Sequence, residues 1–120
     1  MGTPKVLVVD DAAFMRSLIV NAVKAAGYND VYLAEDGYQA IDVASNIKPE
    51  FITLDISMPG IDGIEVIQKV LSVSPASKII MVTAVTAQKI LKKAIESGAV
   101  DFIAKPFTPE EIEEVLKKHS

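Results

Sequence analysis

The sequence has no cysteine, which excludes a disulfide framework and a thiolate metal centre alike. Its one histidine, His119, is the penultimate residue, so a multi-histidine metal site is excluded too. No apolar run approaches the roughly 20 residues needed to cross a bilayer. The opening Met1-Gly2-Thr3-Pro4-Lys5 has no secretory-signal pattern. Positive charge is not in excess: 12 Lys and Arg against 16 Asp and Glu leave a net charge of −4, which argues against a nucleic-acid partner. The first apolar run leads into Asp10-Asp11-Ala12-Ala13, where a nucleotide-binding module would carry a glycine-rich loop. These absences favour a cytoplasmic protein with neither a membrane nor a nucleic-acid partner.

What is present is an ordinary globular composition. Half of the 120 residues are apolar and 23% are charged, enough apolar side chain for a core and about one domain's length. Residues 1–120 are therefore expected to form a single domain, a monomer by the simplest reading. Short β-branched runs alternate with stretches of helical period. Lys5 to Val9, Val31 to Ala34, Phe51 to Leu54, Lys78 to Val82 and Asp101 to Ala104 read as strands, the first of them apolar on both faces as buried parallel strands are. Between them lie helical stripes: Phe14, Met15, Leu18, Ile19, Ala22, Val23 and Ala26; Ala40, Ile41, Ala44 and Ile47; Ile64, Ile67, Val70 and Leu71; Ala87, Ile90, Leu91, Ala94 and Ile95; and Ile112, Val115 and Leu116. Gly27 and Gly98 are placed as helix stops. Thr108, Pro109 and Glu111 form the entry of the last helix, a capping box with proline at the first turn. Such alternation predicts an α/β fold, a doubly wound parallel sheet with helices on both faces. Its ligand edge lies beyond the carboxyl ends of the strands.

The strand ends carry the chemistry. Asp10 and Asp11 follow the first strand, Asp55 the third, Thr83 the fourth and Lys105 the fifth. Singly, each is an ordinary turn or capping residue. Together they bring three carboxylates and one ammonium to one edge, a net −2 (one minus three). Crowded carboxylates need a counter-charge or one of them protonates. A divalent cation brings the count to zero, and an all-oxygen set favours Mg²⁺, with Mn²⁺ or Ca²⁺ as substitutes. Such a site suits a phosphoryl group: Lys105 and the cation neutralise its oxygens, Thr83 donates to one of them, and Asp55 is best placed as nucleophile.

In these segments the chain resembles the response-regulator receiver domains over nearly its whole length. Val8-Val9-Asp10-Asp11 matches the family's acidic pair. Leu54-Asp55-Ile56-Ser57-Met58-Pro59 with Gly63 matches the phosphoacceptor loop, Val82-Thr83-Ala84 the switch hydroxyl, and Lys105-Pro106 the lysine-proline pair. Asp11 to Arg16 and Ala99 to Phe107 are most similar to the chemotaxis branch, with methylesterase-fused receivers close behind. The resemblance implies a flavodoxin-like strand order 2-1-3-4-5 and a cis Lys105–Pro106 bond. It implies phosphorylation of Asp55 by a chemotaxis-type sensor histidine kinase. Asp11 and Asp55 would bind Mg²⁺ directly, Asp10 partly through water, and the Ser57 carbonyl would complete the set. Thr83 and Phe102 would form the switch. Phe102 stands where the chemotaxis branch usually has tyrosine, and its resting position, turned inward or packed at the edge, stays open. The fourth helix, fifth strand and fifth helix would bind the target, a flagellar motor switch protein or another phosphorylation-dependent partner. Lys89, Lys92, Lys93, Lys117 and Lys118 are placed on that side. Ser57 and Val85, expected to flank the path of attacking water, cannot orient it, so slow or moderate self-hydrolysis is expected and a partner phosphatase has a place.

Three rival functions have weaker support. A phosphohydrolase of the haloacid-dehalogenase type needs a second Asp two residues after the nucleophile, where Ser57 stands, so an enzyme of that kind is not expected. A nucleotide-binding module lacks its loop. A receiver belonging to a larger regulator, with a methylesterase or DNA-binding output, remains as the alternative.

Overall fold

Lys5–Val9 and Phe51–Leu54 can pair side by side in parallel because each is apolar on both faces. In the computed structural model, which describes residues 3–56, 62–84 and 88–120, they form β1 and β3 at the centre of the sheet. The other strands are β2 (Asp30–Ala34), β4 (Lys78–Ala84) and β5 (Asp101–Lys105). All neighbours pair in parallel, in the order β2-β1-β3-β4-β5. The helices are α1 (Ala13–Ala25), α2 (Gly37–Ile47), α3 (Gly63–Val73), α4 (Gln88–Glu96) and α5 (Pro109–Lys118). This is the doubly wound, flavodoxin-like order. β4 runs one residue past Thr83, and β5 includes Lys105, so both residues are held in the ladder.

Strand alternation divides the core into two layers. Leu7, Val9, Ile52, Leu54, Ile79 and Met81 pack with α2, α3 and α4. Val6, Val8, Phe51, Ile80, Val82 and Ile103 pack with α1 and α5. The helical stripes are narrower than expected from period alone. On α1 the buried residues are Ile19, Ala22 and Val23, while Phe14 is 75% exposed and Leu18 stands outside. On α4, Leu91 and Ala94 pack inward and Ile90 and Ile95 are exposed. Ala87 lies outside the described residues. The stops and caps behave as expected: Gly27 and Gly98 have positive φ, and Thr108 with Glu111 closes a capping box.

Thr53 is an exception within β3. It is flanked by Val8 and Ile80 and is 1% exposed. Its Oγ1 finds no hydrogen-bond partner among the described residues. A buried hydroxyl without a partner destabilises a fold, so Thr53→Val, which keeps the shape, is expected to stabilise the protein by about 1 kcal/mol. Thermal or urea melting measures this; a less stable variant would mean that the hydroxyl has a partner after all.

The end of the sheet opposite the strand-end acids is closed by Asp101. It accepts a hydrogen bond from the Phe102 N–H at 2.8 Å and another from His119 Nε2 at 2.9 Å. Lys118 Nζ lies 3.6 Å away. Burial pushes the Asp101 carboxyl up, but these donors and the Lys118 charge outweigh burial and hold it below its ordinary value. A carboxylate with a depressed pKa contributes stability above its unfolded value of about 3.9, and loses it as pH falls through the folded value. Asp101→Asn is therefore expected to lower the melting temperature at neutral pH and to cost progressively less in acid. A deficit that stays constant down the acid limb would sink this account.

Candidate functional site

The chain ends of β1, β3 and β5 place the charged residues together. Asp10 N–H donates to the Ala34 carbonyl at 3.2 Å and Asp55 N–H to the Val9 carbonyl at 3.1 Å, so both acids continue the sheet's backbone bonding by one residue. Asp10 is 1% exposed and Asp55 5%, whereas Asp11 faces solvent. One carboxylate oxygen from each of Asp10, Asp11 and Asp55 can be chosen so that all three lie within 4.8 Å of one another. Lys105 Nζ lies 3.2 Å from Asp55 Oδ2 and 3.5 Å from Asp10 Oδ2. The shorter is a charge-assisted hydrogen bond, and the longer contributes mainly as an ion pair.

Asp10 is the most constrained of the acids. Its Oδ1 accepts from the Ala12 N–H at 2.9 Å. Burial raises its pKa, against the lowering influence of the Ala12 N–H and Lys105; the Asp55 charge raises it further. A buried carboxylate pushed up by desolvation and a like charge is a group in need of a cation. The donor set is all oxygen, as hard divalent ions require, so the residues present fit Mg²⁺.

Thr83 is buried on β4, with Ala104 as its partner on β5. Phe102 pairs with Met81. Residues two apart on a strand share a face, so Thr83 and Phe102 lie on the same face of the sheet, with the small side chain of Ala104 beside Thr83. Phe102 is 44% exposed, which answers the open question of its resting position: it sits at the sheet edge. Gly63 opens α3 against the turn after Asp55. A Cβ there would meet Ile56 Cγ1 at 2.6 Å and the Ile56 carbonyl oxygen at 3.1 Å, so only glycine permits this approach. The Lys105–Pro106 bond is cis. Ser57 and Val85 lie outside the described residues.

One contributor has no role in the sequence reading. Arg16, on the second turn of α1, donates from Nη1 to the Asp10 carbonyl at 2.6 Å, and its Nη2 lies 3.5 Å from Glu35 Oε1. Its signals in the sequence are its place at the end of the Asp11-to-Arg16 segment, which carries the family resemblance without a role for the arginine, and its position five residues after Asp11, a spacing that any amphipathic helix offers.

Comparison with known proteins decides the family. The family model described as the response regulator receiver domain matches residues 6–117. The chain belongs to the response-regulator receiver domains. This receiver is 42% identical over 114 residues to a chemotaxis protein CheY of Listeria monocytogenes, covering 95% of this chain and 96% of that protein. It is 40% identical over 105 residues to a protein-glutamate methylesterase/protein-glutamine glutaminase of Thermotoga maritima, covering 85% of this chain but 30% of that protein. Among solved structures, the chemotaxis protein CheY4 of Vibrio cholerae superimposes with a TM-score of 0.89 at 30% identity, covering 99% of this receiver and 100% of that chain. Receivers of this kind are signalling proteins that work with histidine kinases and downstream targets. Among the described residues, no helix is long and apolar enough to cross a membrane.

Proposed function

We propose that this receiver is a phosphorylation-controlled regulator of the chemotaxis type, working in the cytoplasm. The observation that carries the proposal is the convergence of Asp10, Asp11 and Asp55 within 4.8 Å, with Lys105 Nζ 3.2 Å from Asp55. An Asp55 carboxylate oxygen attacks the phosphorus of a kinase phosphohistidine. The P–N bond breaks, the imidazole leaves with a proton, and an aspartyl phosphate forms. Asp11 and Asp55 would hold Mg²⁺ directly and Asp10 partly through water, with the Ser57 carbonyl completing the set, and the ion would supply neutralising charge for the phosphoryl oxygens. Lys105 exchanges its bond with the Asp55 carboxylate for one with the phosphoryl group, and the Thr83 hydroxyl donates to another phosphoryl oxygen. The protein turns over no substrate beyond its own aspartyl phosphate.

Output runs through the Thr83–Phe102 face. Movement of Thr83 toward the phosphoryl group opens room beside Ala104, and Phe102 leaves its exposed edge position to fill it. An apolar ring gains by this burial and leaves no polar group behind. The surface changed is α4–β5–α5, where Ile90, Ile95, Val100 and Phe102 are exposed beside exposed Lys89, Lys92 and Lys93. The cluster of lysines on α4 suits an acidic target segment, with the flagellar motor switch as partner. Lys117 and Lys118 are already engaged by Glu113 and Asp101, so the α4 lysines carry most of this steering. The similarity to the methylesterase supports a second reading, in which the same switch controls an attached output domain. Intact-mass measurement after treatment with acetyl phosphate and Mg²⁺ tests the chemistry, and one added phosphoryl group is expected.

A further inference from the structure

Asp11 faces solvent, and its carboxylate makes no hydrogen bond among the described residues. Its direction is therefore set by the backbone before it. That backbone has an unusual support. The N-cap of α1 is Ala12, with no side-chain cap, so the helix entry is not held in the ordinary way. Instead the Asp10 side chain accepts from the Ala12 N–H at 2.9 Å, and Arg16 reaches back to the Asp10 carbonyl at 2.6 Å. The carbonyl of Asp10 and the N–H of Asp11 share one rigid peptide plane. Fixing that carbonyl fixes the plane and the Asp11 N–Cα bond, and the Ala12 N–H bond to Asp10 holds the next plane. The two planes together set φ and ψ of Asp11 and so the direction of its Cα–Cβ bond.

The guanidinium is itself fixed from the other side. Its second nitrogen meets Glu35 at 3.5 Å, and the Glu35 N–H donates to Gln39 Oε1 at 2.9 Å at the entry of α2. Arg16 is 14% exposed and Glu35 65% exposed, so the ion pair is a weak source of stability. Its use is geometric: a planar fork held at two ends orients better than a single ammonium.

We infer that Arg16 is a positioning residue for cation binding: through the Asp10 carbonyl it holds the Asp10–Asp11 peptide so that the Asp11 carboxylate faces the site. The inference rests on the metal-binding reading of the three acids. It has a distinctive sign. Arg16 is a cation near a cation site, so by charge alone its removal would tighten divalent binding. As a positioning group its removal weakens it, as loss of groups that orient metal ligands does.

The chain has no tryptophan, so Mn²⁺ is titrated into the metal-free protein by electron paramagnetic resonance, with the melting temperature of the metal-free form recorded alongside. Arg16→Gln is expected to weaken Mn²⁺ binding about 10-fold at a temperature where the variant is fully folded. In an Asp11→Asn background the same change is expected to produce no further weakening, because the group it orients is gone. Unchanged or tighter binding in Arg16→Gln, or an equal loss in the Asp11→Asn background, overturns the inference. If Arg16→Gln does not fold, Arg16→Lys, which keeps the charge but not the fork, is held to the same two criteria. Asp11→Asn alone separates the failures. If it leaves Mn²⁺ affinity untouched, the site reading itself is wrong; if it weakens binding while Arg16→Gln does not, only the positioning role falls.

Discussion

Asp55→Asn is expected to take up no phosphoryl group from acetyl phosphate and Mg²⁺, where the wild-type chain takes up one. The carboxamide has nearly the same shape and fits the same 5%-exposed position, but its oxygen is a poor nucleophile. The fold is expected to survive the change. Lys105 Nζ, 3.2 Å from Asp55 Oδ2, can still donate to an amide oxygen, and Asp10 remains to pair with it at 3.5 Å. The substitution also removes one of three crowded negative charges, which relieves repulsion in the metal-free protein. Intact mass reads the outcome directly. A phosphoryl group on the Asn variant at wild-type level would place the acceptor elsewhere and end the proposed mechanism.

The second large effect is on stability. A ligand that binds only the folded chain stabilises it by mass action, by about 2.7 kcal/mol at 100 times its dissociation constant. For a domain of this size that corresponds to a rise of roughly 10 °C in melting temperature. Mg²⁺ is expected to produce such a rise, and Asp11→Asn to remove most of it. Because Asp11 is exposed, that variant should keep its metal-free stability. The comparison solution is a monovalent salt at equal ionic strength, which screens the acids without bridging them. Equal melting temperatures in the two salts would remove the cation from the account.

Much of the architecture was legible because its signals are local. Doubly apolar runs such as Lys5–Val9 suit buried parallel strands, and Thr108 with Glu111 announces a helix start within four residues of sequence. The strand-end acids, Thr83 and Lys105 were legible for a related reason: a parallel sheet carries every strand's carboxyl end to the same edge. What could not be read is tertiary. Period alone could not show that Phe14 and Leu18 fall off the buried stripe of α1, since a helix packing on one side only buries a narrower arc than its apolar residues suggest. The Asp101–His119 bond joins elements 18 residues apart. Arg16 acts across a turn and toward a strand end, and nothing in its own helix requires it to do so.

The position of β5 at the rim of the sheet has a kinetic consequence. Asp10 and Asp55 extend interior strands, each hydrogen-bonded on both sides, whereas Lys105 belongs to a strand paired on one side with β4. Rim elements open by local unfolding at lower free energy than central ones. Amide exchange should therefore be faster along β5 than along β1 and β3. During each such opening the acids stay assembled while the lysine is withdrawn. Cation occupancy and retention of the aspartyl phosphate would then respond differently to warming, the first following global unfolding and the second following fraying of a single edge.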